Sequence, residues 1–441
     1  MKKIAILVFF TVGFFVHVWA CTGLIAGKQA TVDGSVLVTY SADSHTLYGA
    51  LTSSPAADWP KGSMRSIVEW DTNKPLGEIE QVEHTYAVIG NMNEHQLTVV
   101  ESTWGGRPEL VDTTGIIDYG SLMQLALERA KTAREAIKVM TGLVKKYGYY
   151  SSGESFTIAD PNEAWILDLI GKGPGRRGAV WVAVRIPDDC IAGHANYPRI
   201  HKIPMDDKEN CLYSPDVISF AREMGYFDGL NKDFSFARAY LPADFGALRA
   251  CDARVWSFFR KYDSSMDNYL PYVNGESAEP FPLYVKPSRK LSVQDMKEAM
   301  RDHFEDTPFD MTQDVGAGPF KVPYRFRPMS FEVDGKSYCM ERAIATQQTG
   351  FTLVGQMRNW LPDPVGGVLW FGVDDANTCV YIPMYCGITQ VPECFSPENG
   401  SMYDFSWTSA FWIHNWVANM SYSRYDQMIE DIRPVQKDIE T

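Results

Sequence analysis

Positive charge is in short supply in this sequence. Its 441 residues hold 41 Lys and Arg against 55 Asp and Glu, a formal net charge of -14. Nucleic-acid phosphates require a basic surface, so nucleic acid is excluded as a partner. Metal-type motifs are missing as well: there is no CxxC pair and no HExxH. No zinc site is signalled, and neither a metal nor a cofactor is expected. Beyond residue 20, no apolar run reaches the roughly 20 residues a bilayer span needs. Internal repeats, low-complexity tracts and strong linkers are also lacking, so residues 21–441 read as one large domain. What is present is ordinary globular material, 45% hydrophobic and 13% aromatic, enough for a sizeable core.

The N-terminus carries a targeting pattern. Lys2 and Lys3 precede an apolar run from Ile4 to Val16, broken by Thr11 and Gly13. Val18 and Ala20 then occupy the -3 and -1 positions before Cys21, which reads as a secretory signal peptide over residues 1–20. The run is short for a membrane anchor. Export to the periplasm or the extracellular space is expected, and it permits disulfides. There are 8 cysteines. If Cys21 is reserved for chemistry, the remaining number is odd and at least one more thiol is unpaired. Cys379, Cys386 and Cys394 are close enough in sequence to contribute a bridge.

The coarse pattern mixes strands and helices. T-G-L-I-A-G and V-L-V-T-Y flank an Asp33-Gly34 turn and predict a hairpin. Tyr86 to Gly90 and Leu97 to Ser102 read as strands. Leu122, Leu125, Ala126, Arg129 and Ala130 fit a helix. A second helix starts at the capping box Thr132/Glu135 and stops near Gly148. S-F-T-I-A-D, P-N-E and A-W-I-L-D-L-I make a second hairpin. G-K-G-P-G-R-R-G leads into the strand W-V-A-V-R-I, so it reads as a hairpin loop and not a phosphate cradle. Helices are predicted from Pro215 to Met224, around Cys251 to Tyr262 and from Ser292 to Phe304. Ser264 to Ser288 reads as a long surface connection, and Glu341 to Ile382 as a second β-rich block. Strands, helices, strands, helices and strands in that order suit an α+β domain.

Cys21 admits three readings, which composition and spacing leave level. It is a buried or bridged thiol, a lipid attachment point after leader cleavage, or an N-terminal nucleophile. In the last case the freed α-amine, with an ordinary pKa near 7.7–8.0, takes the thiol proton, so one residue supplies nucleophile and base. No spacing singles out one histidine as a partner for a Cys-His dyad.

The segments after Cys21 carry more information. C-T-G-L-I-A-G-K-Q-A-T-V-D-G-S-V-L-V-T-Y-S-A-D-S resembles the start of the bacterial cysteine dipeptidases, the dipeptidase A and secernin group of N-terminal nucleophile hydrolases. G-N-M-N-E, E-S-T-W-G-G-R-P-E-L, A-G-H-A-N-Y-P-R-I, E-R-A-I-A-T-Q-Q-T-G-F and S-Y-S-R-Y-D-Q-M-I-E-D-I-R-P extend the resemblance over essentially all of the chain after the leader. It implies a four-layer αββα sandwich. It also implies attack by Cys21 on the amide of a short peptide, through a thioester acyl-enzyme. The chain stops at D-I-E-T in a helix-like segment where members of that group continue, so a C-terminally shortened piece is expected.

The related penicillin V acylase and bile-salt hydrolase group implies further roles. Asp43 matches an aspartate that holds the nucleophile's amine. Asn196, in A-N-Y-P, matches an oxyanion donor. Thr103 falls where those acylases carry a second asparagine, and Arg238 resembles their later arginine. Tyr40 stands where many relatives have arginine, a departure that removes a cation from the thiol. An acylase of that type is the nearest alternative function, and a non-catalytic peptide-binding lipoprotein acylated at Cys21 is the alternative from another class. Short peptides are the expected partners. Neither a homo-oligomer nor a monomer is favoured by the residues.

Overall fold

The computed structural model describes residues 21–325 and 330–441. The leader assigned to residues 1–20 lies outside the described residues. Two antiparallel sheets form the frame. The first has seven strands in the order Tyr284–Val285, Ile191–His194, Thr22–Ala26, Val36–Asp43, Thr349–Met357, Val368–Val373, Ile382–Tyr385. The second has eight strands, with Cys211–Tyr213 at one edge and Ser53–Ser54 at the other. Its centre is the run of Ala179–Ile186, Ala164–Gly171, Gly153–Ala159 and Thr98–Gly105.

Strand periodicity sorts the side chains. Successive residues point to opposite faces, so Ile25, Val38 and Tyr40 join one apolar cluster, while Leu24 and Leu37 join another. The first cluster also contains Val100, Ile166 and Val182 of the second sheet, so both sheets contribute to it. The second cluster contains Trp256, Phe259, Met296 and Met300, from helices Ala253–Arg260 and Val293–Met300. A third joins Val99, Phe156 and Trp165 of the second sheet to Leu122, Leu125, Ile137 and Met140. These last four belong to helices Tyr119–Arg129 and Ala133–Tyr147. Both faces of the central strands are buried, which is why their sequences run apolar without clean alternation. The domain is mixed α and β with antiparallel sheets, as the element order predicted.

Local signals acted as the chemistry requires. In the first hairpin Asp33 Oδ1 accepts from the Ser35 N–H at 3.0 Å, and Gly34 adopts φ 84°. Thr132 caps its helix by accepting from Glu135 N–H at 3.3 Å. The Glu135 carboxylate reaches back to Lys131 N–H at 2.8 Å instead of to the cap residue, so only half of the predicted capping box forms. The Gly-rich segment joins Ala164–Gly171 to Ala179–Ile186 as a hairpin loop.

Three expectations are corrected. The segment Ser264 to Ser288 is not a surface connection. Met266, Tyr272, Val273 and Phe281 are buried in it. The buried Arg199 ties it down, donating to Pro282 C=O at 2.8 Å and pairing with Asp252, which also accepts from Tyr272 Oη at 2.8 Å. Its aromatic content, not its prolines, decided its fate. The β block begins at Thr349; ahead of it Arg342 pairs with Asp43 and donates to the carbonyls of Ala343 and Ile344. Cys379, Cys386 and Cys394 are all unbridged, as are the other cysteines whose side chains are described. The first two are buried and the third is exposed.

Candidate active site

Cys21 enters the first sheet at the head of the strand Thr22–Ala26. The register sets Thr22 opposite Ser41, and Gly23 between Tyr40 and His194. The thiol therefore sits at the end of three central strands, near Tyr40, Asp43 and Asn196. Gly23 is required there: a Cβ on it would lie 2.9 Å from His194 Cε1 and Nε2. His194 cannot give way, because its two ring nitrogens meet Ser102 Oγ at 2.6 Å and Thr157 Oγ1 at 2.8 Å. Burial, with Arg254 and Arg199 nearby, pushes this imidazole down to about 3. It is a neutral strut between the sheets, with both nitrogens already engaged.

The thiol faces the Tyr40 phenol, whose hydroxyl is 3.7 Å from Sγ, and the Asp43 backbone N–H. Burial raises its pKa well above the ordinary thiol value, and the charges of Glu101 and Asp43 push the same way. At rest it is a protonated thiol, so nucleophilic use demands a base.

Asp43 ends the strand Val36–Asp43 and is buried. Oδ1 accepts from Thr349 Oγ1 at 2.7 Å. Oδ2 accepts from Ser41 Oγ at 3.1 Å and pairs with the guanidinium of Arg342. Asn196 follows the strand Ile191–His194 in the left-handed region, at φ 56°, which asparagine tolerates better than most residues. Its Nδ2 donates to Thr103 C=O at 2.6 Å and its Oδ1 accepts from Arg254 Nη2 at 2.8 Å. An acceptor on one side and a donor on the other fix which way the amide faces.

Arg254 is the residue that sequence reasoning missed. It is fully buried on the helix Ala253–Arg260. Nη1 donates to Cys21 C=O at 2.8 Å and to Thr22 Oγ1 at 2.7 Å. Nη2 reaches Ala195 C=O at 3.2 Å as well as Asn196. One guanidinium thus ties the strand carrying Cys21 to the turn carrying Asn196. Arg238, which resembles the acylases' later arginine, is exposed on the short helix Phe236–Tyr240 and donates to Ala278 C=O at 2.7 Å, outside the cluster. A visible signal existed: in C-D-A-R-V-W-S-F-F the arginine falls inside an apolar helical stretch, where an unpaired charge is rare. Thr103 contributes its carbonyl to Asn196, while its hydroxyl donates to Glu154 Oε1 at 2.8 Å.

Beside the thiol lies a cavity of about 210 Å³, lined by Cys21, Tyr40, Asp43, Glu101, Tyr119 and apolar side chains including Leu47, Met123, Phe351 and Phe371. Trp70, in the turn between the paired strands Met64–Val68 and Pro75–Glu80, also lines it. Its indole lies against Gly120, where a Cβ would meet the ring at 2.5 Å. Glu101 also went unread in the sequence, although a carboxylate inside the buried strand Thr98–Gly105 breaks the pattern of its neighbours.

A buried cysteine at a strand head, beside a small cavity and a pinned asparagine amide, is an arrangement suited to acyl transfer. Comparison with known proteins narrows the class, since residues 20–438 match Peptidase family C69. The chain belongs to peptidase family C69. Within it, the C69 chain is 25% identical over 429 residues to a protein named probable dipeptidase from Latilactobacillus sakei, covering 92% of this chain and 82% of that one. It is 26% identical over 396 residues to a probable dipeptidase of Salmonella dublin, covering 84% and 81%. It is 24% identical over 429 residues to dipeptidase A of Lactobacillus helveticus, covering 92% and 82%.

Proposed function

We propose that this C69 peptidase is an exported cysteine dipeptidase with Cys21 as the N-terminal residue of its mature form. Removal of residues 1–20 exposes the Cys21 α-amine beside its own thiol. The amine takes the thiol proton as sulfur attacks the carbonyl carbon of the scissile amide. The tetrahedral intermediate collapses to a thioester as the leaving amine takes that proton. Water then adds to the thioester carbonyl, the acid departs, and the proton returns to sulfur. The observation that carries the reading is the placement of Cys21. Its thiol is kept protonated by burial and faces the cavity, while its carbonyl is held by Arg254.

The neighbours supply the remaining roles. Asn196 donates to the oxygen that becomes negative in each tetrahedral intermediate. A donor preorganised by two hydrogen bonds does so without reorganisation. Asp43 orients the Cys21 α-amine: Oδ1 carries one described donor, Thr349, and a carboxylate oxygen accepts two. Two sheets with helix clusters on their outer faces support an αββα sandwich of the N-terminal nucleophile type.

The test is a panel of dipeptides, tripeptides and N-acylated amino acids, with the mature chain and Cys21→Ala. The reading expects release of free amino acids from dipeptides, and at least a thousandfold loss in Cys21→Ala with an unchanged thermal melt. Undiminished turnover in Cys21→Ala, or hydrolysis of acylated amino acids alone, contradicts it.

A further inference from the structure

Beside the thiol, the cavity contains an acid that the mechanism above does not use. Glu101 is buried on the strand Thr98–Gly105, and its Oε1 accepts from the Tyr40 phenol at 2.5 Å. Its Oε2 has no donor among the described residues, and neither has Oε2 of the buried Glu154. These two carboxyls interact directly, each raised by burial, and Glu154 is held further up by the charge of Glu101. The pair therefore holds one proton between them and carries one negative charge. No lysine or arginine is among the residues lining the cavity. The one negative charge of this buried pair, beside a cavity whose lining holds no cation, is costly unless a cation arrives with the ligand.

Peptide geometry says where such a cation would be. Sulfur attacks the carbonyl carbon from about 3–3.5 Å. The α-nitrogen of the same residue is two bonds from that carbon, about 2.5 Å away. In a peptide cleaved after its first residue, the free ammonium therefore sits within about 6 Å of Sγ. Glu101 borders that shell, because the Tyr40 hydroxyl 3.7 Å from Sγ donates to its Oε1 at 2.5 Å. Building on the dipeptidase reading, we infer that Glu101 binds the substrate's free α-ammonium group and so restricts cleavage to the first peptide bond.

Two consequences follow. Acylated or des-amino substrates place an uncharged group against Glu101 and lose the ion pair. The bound ammonium also offsets the negative charge beside the thiol, so the substrate itself eases the loss of the thiol proton.

The experiment compares a well-cleaved dipeptide with its des-amino analogue as competitive ligands, in wild type, Glu101→Gln, Glu101→Asp and Glu154→Gln. Wild type should bind the amine-bearing ligand at least a hundredfold more tightly. Glu101→Gln should bring the ratio below ten, and Glu101→Asp should leave it intermediate. Glu154→Gln keeps the charge on Glu101 and should hold the wild-type ratio. A wild-type ratio below ten overturns the inference without recourse to any variant. So does an unchanged ratio in Glu101→Gln or, where that variant does not fold, in Glu101→Asp. Absence of dipeptide hydrolysis by the wild type is a different result and sinks the underlying dipeptidase reading instead.

Discussion

Replacing Arg254 by lysine tests whether one buried guanidinium holds the site together. Arg254 makes five hydrogen bonds: Nε to Ala250 C=O at 2.9 Å, and the four that reach Cys21, Thr22, Ala195 and Asn196. Lysine has three donors on a single nitrogen and cannot span a fork of this width. At least two bonds are lost, each worth about 1.5–3 kcal/mol when one partner is charged. The expected destabilisation is on the order of 3–6 kcal/mol, a large part of a typical 5–15 kcal/mol. Charge is a second loss. Burial already pulls Arg254 down to about 10, and a lysine starts about two pKa values lower. The same burial would leave a lysine only partly protonated at the upper end of the assay range.

The catalytic consequence runs through Asn196. With its Oδ1 released, the amide loses one of the two bonds that fix its direction, and in the proposed mechanism the oxyanion loses a preorganised donor. Removing one such donor typically costs 10²–10³ in kcat. Arg254→Lys should therefore fold, show a lower urea midpoint, and lose roughly 10²–10³ in kcat with KM changed by less than a few fold. Steady-state kinetics on one dipeptide and a urea titration are sufficient. A folded variant with kcat within threefold of wild type would refute the reasoning, as would a loss confined to KM.

Gly23→Ala should lower stability by about 1–3 kcal/mol, the usual cost of forcing a methyl into a packed interior. Its Cβ meets a His194 ring held at both nitrogens, and an unchanged urea midpoint would mean that His194 is free to move. Asp374 gives a pH signature. Burial pushes its carboxyl up to about 7, against about 3.9 in an unfolded chain. A raised carboxyl favours folding while it is protonated, so this contribution is complete below pH 4 and is lost as pH rises through 7. The difference corresponds to roughly 4 kcal/mol at pH 8. Asparagine suits φ 66° and can still accept from Asn415 Nδ2. Asp374→Asn should therefore raise the melting temperature at pH 8 and leave it nearly unchanged at pH 4; an equal effect at both pH values contradicts this.

Much of the frame was legible because it is local. The Asp33-Gly34 hairpin, the Thr132 cap and the Gly-rich loop depend on residues within a few positions of one another, and each signal acts through its own backbone. Cys21 and Asn196 were singled out by motif resemblance, and the register of their neighbouring strands brings them to the same end of the first sheet. Arg254 and Glu101 were not. Each is a charge inside an apolar element, and its partner lies far along the chain, so only tertiary contact reveals what compensates it. Arg238 misled for the complementary reason: its local sequence looked right, but its short helix carries it to the surface. Ser264 to Ser288 was misread because proline and serine suggest a loop, whereas Tyr272 and Phe281 bring the segment into the core.

In the proposed mechanism Cys21 is the first residue of the mature enzyme, and its Sγ is the atom that takes the acyl group. Mass spectrometry of the mature protein, quenched in acid during turnover of a dipeptide and then digested, reads both at once. The account predicts an N-terminal peptide that begins with Cys21, carries a free α-amine, and shows on sulfur the mass of the substrate's first residue as an acyl group. A chain that still carries residues 1–20 while turning over, a lipid on Cys21, or an acyl group on any other cysteine would contradict it.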